Sequence, residues 1–175
     1  MIRILVIGTS LIMMSCTTTT IYPLGSFNIN ETRYYMKDID NYHDLIVGTW
    51  RWKDGDSSFE ITLQEFEMFN YPSSSTEFHN EIFGRYTYIN DEVLIADVQN
   101  IETIPNSKVV FNFDNETRYK VIIKDIVSGR TKVGEFVLTS SSTAIFRLWN
   151  SEGLKINEGN GQDFVLPTNL VLTKQ

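Results

Sequence analysis

The chain has 175 residues, with 15 basic against 22 acidic side chains and a formal net charge of −7 at pH 7. That balance excludes a nucleic-acid binder of the usual kind, because counterion release needs a basic stripe and a polyanion would be repelled. The single cysteine, Cys16, excludes an intramolecular disulfide, a cysteine-based zinc site and a cysteine nucleophile within the fold.

Residues 1–15 read as an export signal. Arg3 supplies the positive start, and Ile4 to Met14 supplies an apolar stretch. A bilayer-spanning helix needs ~20 such residues, so this stretch is too short to span but suits a signal peptide. Cys16 follows the small residue Ser15. That order resembles the lipobox of bacterial lipoproteins, although Met13 and Met14 depart from its usual residues. The resemblance implies that Cys16 is lipidated and becomes the new N-terminus. Two or more acyl chains hold a protein on a membrane where one binds marginally. Thr17 is not the aspartate that retains enteric lipoproteins at the inner membrane, and no acidic run follows. The expected location is therefore the outer membrane, on its periplasmic face.

Residues 16–38 read as the lipidated cysteine, a flexible tether and an extended lead-in, with four consecutive threonines, Pro23 and Gly25. Tyr34, Tyr35 and Met36 are too apolar for pure linker and are expected to lie against the domain. Asp38 to Asp44 is acidic, but a calcium loop fails: His43 stands where the loop needs glycine, and Thr49 where it needs glutamate. The stretch reads as a short helical turn, with Asp38 or Asp40 capping its start and Tyr42 and Leu45 packing downward.

The domain, 39–175, is β throughout from Leu45 onward. Gly48 to Lys53 alternates, with Trp50 and Trp52 on one face. Asp54-Gly55 is a hairpin turn. Ser58 to Leu63 puts Phe59, Ile61 and Leu63 inward, and Glu65 to Tyr71 continues it or follows as a second strand. Ile82 to Ile89, Val93 to Val98, Lys108 to Phe113, Tyr119 to Val127, Lys132 to Leu138 and Ala144 to Asn150 follow as strands. Ser151 to Asp163 is a glycine-rich connection, and Phe164 to Thr173 closes the chain with Pro167 at a bend or edge. Hairpin spacing predicts an all-β fold: a single antiparallel up-and-down β-barrel, or alternatively a strongly curved β-sandwich.

Gly48-Thr49-Trp50 after a helical turn resembles the Gly-x-Trp opening of lipocalin-like barrels. The resemblance implies that Trp50 closes one barrel end and that a late basic residue, Arg147 or Lys174, packs on it. Tyr35 to Asp38, Val47 to Trp50 and Leu166 to Lys174 together resemble an uncharacterised family of small Bacteroidota-type secreted or lipid-anchored proteins, a domain of unknown function. It implies a lipocalin-like β fold and brings no activity or cofactor.

The chain carries none of the common catalytic fingerprints. His43 and His79 read as isolated surface residues. Glu60, Glu65, Glu67, Asp97, Asp125 and Glu135 lie on or near strands and read mainly as solvated faces. A carboxylate-pair hydrolase is the remaining enzymatic option. Lys120, Lys124, Arg130 and Lys132 read as lysine protection of a sheet edge. The 11 Phe, 8 Tyr and 3 Trp either fill the barrel or line a cavity for a small apolar ligand. The candidate lining residues are Trp52, Phe59, Tyr86, Tyr88, Phe111 and Phe146. The expectation is a non-catalytic envelope protein, without metal or cofactor, that binds an apolar ligand or an envelope protein or glycan. The alternative is a filled barrel with a purely structural or interaction role.

The anchor generates the first prediction. Cys16→Ala abolishes metabolic labelling with a fatty acid and leaves the precursor uncut before residue 16; persistent labelling would show that acylation occurs elsewhere.

Overall fold

Clean alternation of apolar and polar residues forces most of this chain into half-buried strands. The fold is seen in a computed structural model that describes residues 18–150 and 165–175. The export signal, Cys16 and the connection at 151–163 lie outside the described residues. The elements are β1 (Thr20–Pro23), β2 (Tyr34–Lys37), α1 (Tyr42–Ile46), β3 (Gly48–Asp54), β4 (Ser57–Asn70), β5 (Glu77–Asn90), β6 (Val93–Asp97), β7 (Val109–Asn115), β8 (Arg118–Lys124), β9 (Thr131–Leu138), β10 (Thr143–Asn150) and β11 (Asn169–Lys174).

Strands β5, β4, β3, β11, β10, β9, β8 and β7 form a ring of antiparallel neighbours. Two register pairs, Ile82 with Phe111 and Phe83 with Val110, join β7 back to β5 and close an eight-stranded barrel. Closure settles the choice against a curved sandwich. β6 pairs only with the far end of β5 and stands outside the ring.

The inward residues form one continuous core that includes Trp50, Phe59, Ile61, Tyr86, Val109, Phe111, Tyr119, Val121, Phe136, Phe146 and Leu172. Each side chain of this kind contributes roughly 1.5–3 kcal/mol by leaving water. β8 shows the logic plainly: Tyr119, Val121 and Ile123 are buried while Arg118, Lys120, Ile122 and Lys124 face out.

Four expectations need correction. Residues 20–23 are not free tether: β1 pairs in parallel with β2, and β2, expected to lie against the domain, pairs in parallel with β5, extending the sheet beyond the barrel. Tyr35 is buried there, as its apolar character required. The basic hairpin is not an edge, because β8 pairs with β7 and β9, and β9 pairs with β10. Lys132 is in fact buried. Pro167 precedes β11 rather than sitting in it, so the ladder loses no donor. Leu45 is exposed; Ile46 and His43 are the helix residues that point inward.

Gly134 is fixed by its neighbours. A Cβ there would lie 2.0 Å from the Arg147 carbonyl oxygen, a backbone atom of the paired strand that cannot give way. Gly55 needs its freedom instead for a φ of +56°, with open space around it. Gly134→Ala is therefore expected to lower the urea-unfolding free energy by about 3 kcal/mol or more, and Gly55→Ala by about 1–2 kcal/mol. Equal costs would mean that the strand crossing at Gly134 is looser than described.

Candidate functional site

Helix α1 lies across one end of the barrel. A five-residue helix has no stability of its own, so its ends must be held. Asp38 accepts the Tyr42 amide at 3.0 Å on Oδ1 and the His43 amide at 2.7 Å on Oδ2. Asp38 thus satisfies free helix donors as its acidic character suggested, although the residue preceding the helix is Asn41. The Trp50 indole N–H donates to the Ile46 carbonyl at 2.7 Å. Lys174 Nζ donates to the carbonyls of Leu45 at 2.9 Å and Asp44 at 3.2 Å, and stands 5.5 Å from the Trp50 ring centroid. Lys174 therefore takes the barrel-closing role. Arg147 does not: it faces out and binds Glu135 at 2.9 Å, because its strand neighbours Phe146 and Leu148 take the inward positions.

Beneath the helix lies a polar cluster. His43 is 1% exposed. Its Nδ1 is 2.9 Å from Glu65 Oε1 and 3.9 Å from Asp38 Oδ2. Asn80 donates through Nδ2 to the same Glu65 oxygen, and Tyr35 donates its hydroxyl to Asn80 Oδ1. Phe113 and Tyr119 pack on the imidazole, at centroid separations of 6.5 and 5.9 Å. Two buried polar atoms here lack a hydrogen-bond partner: His43 Nε2 and the Tyr119 hydroxyl. Burial raises the Tyr119 pKa first, and the nearby charges of Asp38 and Glu65 raise it further. The phenol is therefore a proton donor facing a negatively charged neighbourhood. Asp38, His43 and Glu65 each offer a ligand atom, all within 4.8 Å of one another.

The cluster adjoins a cleft on the outside of the wall. β5 pairs with β2 up to His79 and with β7 from Ile82, leaving a gap in the wall at Asn80 and Glu81. A cleft of about 300 Å³ opens there, lined by Leu24 to Phe27, Met36, His79, Asn80, Glu81, Asn112 and Phe113. Asn80 and Phe113 belong to both cleft and cluster. Outside the wall, Tyr71 donates to Glu81 at 2.7 Å, and its ring meets His79 edge-on at 5.4 Å. Burial pushes the Glu81 carboxyl up and the His79 imidazole down, away from their charged forms. Neither histidine is the surface residue expected of it.

The proposed lining residues lie elsewhere. Phe59, Tyr86, Phe111 and Phe146 are buried in the barrel centre and touch other rings: Phe59 stacks on Phe146 at 5.6 Å and on Tyr86 at 6.0 Å, and Phe111 meets Phe136 at 5.4 Å. Trp52 and Tyr88 pack against the same core from its margin. Of the six carboxylates, Glu65 alone joins the cluster. Asp125 is buried but accepts the amides of Val127, Ser128 and Val165. Glu60 pairs with Arg51, Asp97 with Thr87, and Glu135 with Arg118 and Arg147, while Glu67 is exposed. The carboxylate that faces Glu65 is Asp38, which sequence reasoning had assigned only to helix capping.

The fold and site define a small all-β protein built on one closed antiparallel barrel, with a polar cluster under a short helix. The chain belongs to a Family of unknown function (DUF6705), whose profile matches residues 1–175. Comparison with curated proteins and with solved structures found no match.

Glu81 generates a prediction in which sign matters. Its folded pKa lies above the ordinary value of 4.5, so the wild type gains stability as pH falls through that folded value. Glu81→Gln removes the buried charge and keeps an acceptor for Tyr71. It is expected to raise the thermal midpoint at pH 8 by about 2–4 °C, the equivalent of roughly 1 kcal/mol. The gain should vanish near pH 4. A variant equally shifted at both pH values would show that Glu81 does not titrate with folding.

Proposed function

We propose that this chain is a non-catalytic, lipid-anchored protein of the bacterial outer membrane, whose barrel is a rigid mount for an outward binding surface. The observation that carries this reading is the filled interior. Trp50, Phe59, Tyr86, Phe111, Phe136 and Phe146 are all at most 1% exposed and pack ring against ring. An apolar ligand on the barrel axis would have to displace them, and such close-packed rings do not yield cheaply.

Recognition then falls to the outside. A cleft of about 390 Å³ crosses the outer faces of β7 to β10, floored by Ile122, Val133 and Trp149 and rimmed by Asp114, Arg118, Lys120 and Glu135. Trp149 is 47% exposed and Ile122 40%. An exposed aromatic ring between fixed charges suits a protein or glycan partner. Placement supports the same reading. β1 begins at Thr20, four residues after Cys16, a reach of at most ~14 Å. Lipid on Cys16 holds the β1–β2 edge beside β5 close to the membrane. β10 lies four places away from β5 in the ring of eight, on the opposite side. The Trp149 end of the cleft therefore lies away from the anchor, while its β7 end, at Asn112 and Asp114, adjoins β5.

A second reading keeps a small apolar ligand but moves it to this cleft, whose volume falls within the ~300–1,000 Å³ of ligand pockets. Both readings are tested on the full chain extracted from envelopes in detergent, by native mass spectrometry and by cross-linking in intact cells. The expected result is a cross-linked envelope partner that Trp149→Ala abolishes while shifting unfolding free energy by less than about 0.5 kcal/mol. A stoichiometric small adduct that leaves on denaturation would establish the ligand reading instead. A bare mass together with cross-links indifferent to Trp149→Ala would remove the cleft from the function.

A further inference from the structure

We propose that Asp38, His43 and Glu65 hold a divalent transition-metal ion of the zinc class beneath α1. The site goes beyond the outward-surface reading and does not depend on it.

The donor spacing fits. A tetrahedral ion with bonds of ~2.0–2.2 Å sets its ligand atoms about 3.4 Å apart. His43 Nδ1 lies 2.9 Å from Glu65 Oε1 and 3.9 Å from Asp38 Oδ2, so the two separations bracket that value. Adjustment of about half an ångström each way would seat the ion. The donor types also discriminate. An imidazole nitrogen with two carboxylates suits zinc and its transition-metal neighbours, whereas calcium and magnesium prefer oxygen alone.

The polar atoms left over point the same way. His43 Nε2 and the Tyr119 hydroxyl are buried and lack hydrogen-bond partners, and buried polar groups are ordinarily satisfied. Tyr119 sits within electrostatic reach of both Asp38 and Glu65. With Nδ1 on a metal, the imidazole carries its proton on Nε2, which fixes the tautomer. The proton balance is simple. From the neutral Nδ1–H form the proton moves to Nε2; from the imidazolium one proton leaves to solvent.

The surroundings of such a site are already built. Metal-binding carboxylates are themselves hydrogen-bonded. Glu65 accepts from Asn80, which accepts from Tyr35, and Asp38 is fixed by two backbone amides of α1. The outer cleft reaches Asn80, which holds Glu65, and the Glu65 side chain is itself 22% exposed, which gives an ion access. Three protein ligands leave a fourth position for water or for a donor atom of a bound partner.

The test uses the full chain in detergent, stripped with EDTA and checked metal-free by elemental analysis. Zinc titrated by calorimetry is expected to bind at one equivalent and to raise the thermal midpoint by several degrees, while magnesium does neither. Cobalt in place of zinc should give visible absorption of a tetrahedral site. Glu65→Gln and Asp38→Asn keep side-chain volume and are each expected to weaken zinc at least tenfold with unchanged far-UV circular dichroism. Asp97→Asn, remote from the cluster, should bind as the wild type does. Absence of saturable zinc binding in the wild type overturns the proposal. So does zinc binding that survives Glu65→Gln but disappears in His79→Gln, which would place the ion outside the wall beside Glu81.

Discussion

The pairing of Ile82 with Phe111 and of Phe83 with Val110 turns a long meander into a closed barrel. β5 is fourteen residues long and gives one edge to three partners in turn: β2 at Tyr34 to Met36, then β7, then β6. Its other edge belongs to β4 along nearly its whole length. Closure therefore rests on a short shared segment where the core residue Ile82 and the outer residue Phe83 are both fully buried. Where one partner hands over to the next, the ladder must open. That opening falls at Asn80 and Glu81, and it is there that a polar cluster inside the barrel approaches a cleft outside it. The geometry of closure creates the site's access.

Helix α1 is the second constraint on this end of the barrel. Nothing in Tyr42 to Ile46 would keep it helical alone. It persists because Asp38 holds its first amides, Lys174 holds the Asp44 and Leu45 carbonyls, and Trp50 holds the Ile46 carbonyl. These groups come from the lead-in, the first barrel strand and the last residues of the chain. The lid is thus a meeting of both ends of the domain. A positive ammonium at a helix C-terminus and a carboxylate at its N-terminus each oppose the helix dipole favourably. His43 is carried inward by the same lid, which is why a histidine of so short a helix ends up among the most buried residues.

Much of this was legible by parity alone. Phe59, Ile61 and Leu63 alternate inward, so Glu65 two residues later must point inward too. Ile82 is inward, and Asn80 follows it by the same rule. Leu172 predicts an inward Lys174, while Phe146 and Leu148 predict an outward Arg147. An acidic residue on the core face of a strand was the signal for the cluster. What no pattern supplied was which end each strand reaches, since register across β4, β5 and the lid decides that Glu65, Asn80 and His43 meet. The parallel pairing of β1 with β2 was hidden for a different reason. Four-residue strands are too short to show a period, and their composition is that of a linker.

The cluster departs from the barrel's prevailing rule. Most other inward positions among the described residues carry rings and aliphatics, with Lys132 and Asp125 as further buried charged residues. A set of apolar side chains of similar volume would close this end at least as well, since buried ionic groups are commonly neutral or costly to stability against such replacements. The Tyr119 hydroxyl and His43 Nε2 add a further cost by standing without partners. An arrangement with unpartnered buried atoms, braced by Asn80 and Tyr35 and adjoining a cleft, fits the metal site proposed above better than a purely packing role. On the two proposals above, the filled barrel serves as a stiff mount for the outward cleft, and the polar end holds a separate metal site.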